Sequence, residues 1–151
     1  LLSLVVNVHT VGAKPDGSPW RVLVQDPKGD GGDYVGPLEL VDQAAVTSGG
    51  YQRYFEEDGV RYHHILDPAT GRPADTGLMS VSVVSPDGAL ADSMSTWLFI
   101  KGRDYVLENL NALSCGLVVI DRERNVYVSN DLLDRFTPAD PGGSYHFEVP
   151  S

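Results

Sequence analysis

Apolar positions along the chain fall mainly into short β-branched runs separated by turn residues, with helical spacing confined to a stretch past the middle. The first run, Leu1 to Val11, stops at Gly12, and Lys14-Pro15-Asp16-Gly17-Ser18-Pro19 has turn composition. This pattern predicts a hairpin whose second strand is Trp20 to Gln25, ended by Asp26-Pro27. A Gly-rich loop over 28–33 leads to a strand expected around Leu38 to Thr47, which Ser48-Gly49-Gly50 breaks. Runs on either side of Asp58-Gly59 predict a hairpin of 51–56 with 60–65. Met79 to Ser85 reads as a strand stopped by Pro86-Asp87-Gly88.

From Ala89 to Ile100 the period changes. Leu90, Met94, Trp97 and Leu98 recur at helical offsets and predict one apolar stripe, with Gly102 as the stop. A second helix is expected from Asp104 to Leu113, with Tyr105, Leu107, Leu110 and Leu113 inward. Leu117 to Asp121 and Val126 to Ser129 predict a last hairpin over Arg122 to Asn125, then a helical turn near Leu132 and an edge strand near Tyr145 to Phe147. The expected fold class is α+β: a mostly antiparallel sheet built from hairpins with two adjacent helices, in a single domain over residues 1–151. The chain opens on Leu1 as the interior of a sheet would, which points to a fragment of a larger fold.

Charge narrows the function classes. Asp and Glu number 21 against 11 Lys and Arg, a net charge of -10. Such a surface is unsuited to neutralising nucleic-acid phosphates, so no nucleic-acid partner is expected. No apolar run approaches the roughly 20 residues that span a bilayer. Cys115, the single cysteine, excludes an intrachain disulfide and reads as a half-buried strand residue.

Three groups could carry chemistry. Asp92 and Thr96, four apart on one helix, share a face and offer two oxygen ligands to a hard cation such as Mg2+. Without a cation, the same residues read as a carboxylate near the positive helix end and a threonine bonded back to the preceding turn. His63 and His64 point to opposite sides of a strand, and the one facing the 67–71 loop could accept a proton near neutral pH. Ser48-Gly49-Gly50 presents backbone N–H groups suited to a phosphate or ring edge, or is a plain turn.

Taken in order, Ala45 to Phe55 with its Thr47-Ser48-Gly49, Tyr62 to Pro73 with its His64-Ile65-Leu66-Asp67-Pro68-Ala69-Thr70-Gly71, and Ala91-Asp92-Ser93-Met94-Ser95-Thr96 resemble the ApbE family, the FAD:protein FMN transferases. The stretch from Asn7 to Arg21 resembles it too, so the likeness extends to about residue 121. The resemblance implies an enzyme that uses Mg2+ and FAD, transfers the FMN moiety to a threonine or serine of an acceptor protein, and releases AMP. It implies Asp92 and Thr96 as metal ligands with Ser95 beside them, His64 as the catalytic base, and Leu66, together with Ser48, at the flavin nucleotide. Family members commonly carry glycines where this chain has Val5-Val6, and an aspartate where it has Gly50. A non-catalytic flavin-binding module and an FAD pyrophosphatase giving FMN and AMP are the alternatives. For the parent protein the resemblance suggests a periplasmic or lipid-anchored location.

Overall fold

Period-two alternation in the longest strands sorts their side chains onto two faces of one sheet, and each face has its own cover. The computed structural model describes residues 2–4, 7–29, 32–50, 54–57, 60–63, 65–139 and 143–148, with backbone alone at 2–4, 54–57 and 60–63. The strands are β1 (Leu2–Leu4), β2 (Asn7–His9), β3 (Trp20–Gln25), β4 (Tyr34–Leu40), β5 (Ala44–Gly49), β6 (Tyr54–Glu57), β7 (Val60–His63), β8 (Leu78–Ser85), β9 (Gly116–Asp121), β10 (Asn125–Val128) and β11 (His146–Glu148). Helix α1 (Gly88–Lys101) follows β8, and α2 (Arg103–Glu108) follows α1.

Seven strands form the main sheet in the order β1-β2-β5-β8-β9-β10-β11, antiparallel throughout except for the parallel pair β10–β11. Val46, Val81, Val83, Leu117 and Val119 lie under α1 and α2 with Ala91, Leu98, Phe99 and Val106. On the opposite face Val118, Ile120, Val126 and Val128 pack against Val24, Val35, Leu38 and Leu40 of the β3–β4 pair and against Phe136. Burying each of these aliphatic side chains stabilises by about 1.5–3 kcal/mol, so the two layers on either side of β8 and β9 dominate the core. The fold is α+β and mostly antiparallel, with two helices, as the pattern predicts.

Several local expectations are corrected. The apolar run from Leu1 to Val11 contains two short strands, and β1 pairs with β2 at Leu2↔His9 and Leu4↔Asn7. The turn at Lys14 to Ser18 forms, with Gly17 at φ +83° donating its N–H to Lys14 O at 2.8 Å, yet it closes no hairpin. Instead it carries the chain from one sheet to another, because β2 pairs with β5 and β3 pairs with β4. The single strand expected over Leu38 to Thr47 is two, separated by a reversal at Val41-Asp42. Asp42 takes φ +52°, a conformation that aspartate tolerates better than most residues, and its Oδ1 accepts the Gly12 N–H at 2.6 Å. No Gly or Pro marks the break.

In α1 the expected stripe is displaced. Leu90 and Trp97 are 40% and 39% exposed, and the buried residues are Ala91, Ser95, Leu98 and Phe99. Small residues let the helix settle closely onto β5 and β8, and Ala and Ser do not stand out in a stripe marked by large apolar side chains. Asp87 caps the helix, its carboxylate accepting the Ala89 and Leu90 N–H groups. The second helix ends at Glu108, short of Leu113, and buries Val106 rather than Tyr105 or Leu107. The β6–β7 hairpin, β8, the β9–β10 hairpin, the 3-10 turn over Asn130–Leu132 and an edge strand at β11 all form as expected. Cys115 is buried just ahead of β9, and burial pushes its thiol pKa up.

Candidate functional site

The site is built where the start of α1 crosses the ends of β2 and β5. Antiparallel pairing sets Asn7 opposite Val46, and period two returns Ser48 to the same face, toward α1. Helical spacing sets Asp92, Ser95 and Thr96 over them. The Ser48 hydroxyl lies 2.8 Å from Ser95 Oγ and 3.2 Å from Thr96 Oγ1. Ser95 Oγ also donates to the Asp92 backbone carbonyl at 3.0 Å. Beside them Asn7 Nδ2 donates to Asp92 Oδ1 over a long 3.4 Å.

Asp92 and Thr96 are exposed and adjacent, as their spacing predicts. Ser95 departs from its expected place: it is 0% exposed, and its hydroxyl is taken up inside the protein by Asp92 O and Ser48. The expected contribution of Ser48 is its backbone N–H, and its side chain joins β5 to α1. Leu66 lies in the loop after β7, where it bridges to Pro73 with its side chain 51% exposed. That loop is closed by Asp67, whose N–H reaches Arg72 O at 2.9 Å and whose carboxylate accepts the Ala69 N–H at 2.9 Å. No described hydrogen bond joins Leu66 to the Ser48–Thr96 group. His64 lies outside the described residues, as do Val5 and Val6.

Asn7 escaped the spacing argument. It stands 85 residues from Asp92, and only strand pairing brings the two together. The likeness of the Asn7 to Gly12 segment to the family was the one signal at that position.

The donor set is oxygen throughout: one carboxylate, hydroxyls and a carboxamide. Among the described residues no group of three or more His, Cys, Asp or Glu side chains gathers to hold a metal. A thiolate or multi-carboxylate centre is therefore not formed by them. One exposed carboxylate and one hydroxyl do fit Mg2+, which keeps several waters and usually takes its remaining ligands from substrate phosphate. Asn7 Oδ1 supports the fit: it is a buried acceptor with no hydrogen-bond partner, next to Asp92, so the local polar set is incomplete as it stands.

A second polar cluster lies at the other end of α1. Asp121 is 1% exposed and accepts from Arg103 Nε, the Asn125 side-chain and backbone N–H groups and the Glu123 N–H, each at 2.9 Å. Tyr127 O–H adds a bond at 3.2 Å. Burial alone would raise the Asp121 pKa, but these donors outweigh it and hold the carboxyl below its ordinary value. Its valences are filled by structure, which makes it a brace between α2 and the β9–β10 turn.

Comparison with known proteins gives one consistent set of relatives. Residues 1–120 match the model of the ApbE family. The chain is 37% identical over 143 residues to an FAD:protein FMN transferase of Klebsiella pneumoniae, covering 94% of this chain and 43% of that protein. It is 47% identical over 83 residues to a protein of the same name from Treponema pallidum, covering 55% of this chain and 23% of that one. Among solved structures, an ApbE protein from Thermotoga maritima superposes with a TM-score of 0.75 at 38% identity, over 83% of this chain and 40% of that one. The flavin transferase ApbE from Vibrio cholerae gives 0.72 at 30% identity, over 87% and 42%. The chain spans less than half the length of these relatives.

Proposed function

The chain belongs to the ApbE family, and from that premise we propose that it carries the metal-binding part of an FAD:protein FMN transferase. The relatives' shared name supports flavin transfer. The observation that carries the finer reading is the exposed Asp92–Thr96 pair, backed by buried hydroxyls and flanked by an orphaned amide oxygen.

In this reading Asp92 and Thr96 would hold Mg2+ for work on the FAD pyrophosphate. The bound ion would offset repulsion between the anionic oxygens and stabilise the charge that grows on departing AMP. An acidic chain has particular need of this, because its net charge of -10 repels a dianionic ligand. The acceptor is a threonine or serine hydroxyl of another protein. Its oxygen attacks the FMN-side phosphorus, the bond from that phosphorus to the bridging oxygen breaks, AMP leaves, and a phosphodiester joins FMN to the acceptor. The hydroxyl proton passes to a base, the role assigned to His64. Leu66 presents an exposed apolar side chain suited to a flavin or adenine ring, and Ser48 holds Thr96 from behind.

The test is to incubate the protein with FAD, Mg2+ and a threonine-containing acceptor, and to weigh the acceptor. Transfer adds one FMN phosphoryl group to it and releases AMP. Free FMN with AMP and an unmodified acceptor would mean hydrolysis to water instead, and neither product would mean a flavin-binding module.

A further inference from the structure

A hydroxyl group has one hydrogen to donate, so a chain of hydroxyls with a fixed end has a fixed direction. That end is the Asp92 backbone carbonyl, which can only accept, and it takes the Ser95 hydrogen at 3.0 Å. The 2.8 Å contact between Ser95 Oγ and Ser48 Oγ must then use the Ser48 hydrogen. With Ser48 committed, the 3.2 Å contact to Thr96 must use the Thr96 hydrogen. Ser95 is fully buried and Ser48 nearly so, which shields the inner links from competing water.

We infer that Ser48 and Ser95 are positioning residues forming a one-way relay, Thr96 to Ser48 to Ser95 to Asp92 O, that turns the Thr96 hydrogen inward and presents its oxygen outward as an acceptor for a divalent cation. A threonine free to rotate would point its hydrogen at the cation part of the time. The fixed relay removes that orientation beside the Asp92 carboxylate before any ligand arrives. The same helix carbonyl that anchors the relay belongs to Asp92 itself, so the two cation-facing groups are held by one network. This rests on the reading of Asp92 and Thr96 as the cation-binding pair.

The test is a titration of the isotopically labelled chain with Mn2+, following paramagnetic broadening of the amide signals of residues 92–96. Asp92→Ala should abolish the local broadening. Ser48→Ala should weaken Mn2+ binding roughly five-fold, the equivalent of one hydrogen bond, while Ser48→Thr, which keeps the hydroxyl, restores it. Ser95→Ala is the more discriminating variant. It leaves the Ser48 and Thr96 hydroxyls in place but frees their bond to reverse, so Mn2+ binding should fall there as well. Wild-type affinity in natively folded Ser48→Ala and Ser95→Ala overturns the relay, and Ser95→Ala alone decides if Ser48→Ala does not fold. A wild-type chain with no Asp92-dependent Mn2+ site gives a different result, which overturns the cation reading and the relay's function together.

Discussion

A carboxylate's surroundings decide its work, and Asp92 and Asp121 illustrate the contrast. Asp92 keeps its oxygens exposed, with one long bond from Asn7, and is available to a ligand. Asp121 is enclosed by donors from three directions and is spent on the fold. Because its folded pKa lies below the ordinary value, Asp121 contributes stability that is present above the unfolded-state pKa of about 3.9 and is lost as pH falls through the lower folded value. Thermal melts should accordingly decline below about pH 4 in the native protein, and that acid-dependent decline should be smaller in Asp121→Asn. Asp121→Ala, which takes one partner from Arg103 and strands two backbone N–H groups, should cost about 2–4 kcal/mol in denaturant unfolding. An acid profile unchanged by Asp121→Asn would remove the carboxylate from the account. At this scale the sequence was informative for Asp92 and Thr96, since four-residue spacing is a local property. Spacing does not reach Asn7, which only its segment's likeness to the family marks, or the direction of Ser48, because β2–β5 pairing and helix placement set both.

Elements follow their local signals where the chemistry is unambiguous. The runs flanking Asp58-Gly59 pair as β6 and β7, Asp87 caps α1 and Gly102, at φ +88°, ends it. Signals fail where a partner far along the chain decides the outcome. The turn before Trp20 has hairpin composition, but β3 finds β4 because their shared apolar face covers Val118 and Ile120. Likewise the large residues of α1 mark one stripe, while close packing on β5 selects Ala91 and Ser95. Gly36 records another such approach: a Cβ there would lie 2.5 Å from both the Phe136 ring and the Thr137 carbonyl oxygen. Gly36→Ala should therefore destabilise by about 1–3 kcal/mol, read from the urea midpoint, because backbone must shift to admit the methyl group. An unchanged midpoint would show that the segment after the 3-10 turn is not held against β4. Tyr145, whose hydroxyl donates to Asp26, ties the approach to β11 to the same hairpin layer.

For the molecule as a whole, the fold class and the resemblance were legible because three ordered motifs sit on elements that form largely from local sequence. The two-layer arrangement was not, since hairpin connectivity leaves open which strands share a sheet. The main sheet brings Asn7, Ser48 and the first turns of α1 together at one end of β2 and β5, and the Asp121 brace fixes the opposite end of the helical layer. This chain covers 43% of its Klebsiella relative. Flavin fluorescence on the 151-residue chain tests the proposal that Asp92 and Thr96 form the Mg2+ site serving FAD. FAD is titrated with and without Mg2+, on the native sequence and on Asp92→Ala. The expected result is binding that requires Mg2+ and is lost in Asp92→Ala while the fold persists. FAD binding of equal strength without Mg2+, or undiminished in Asp92→Ala, would contradict it.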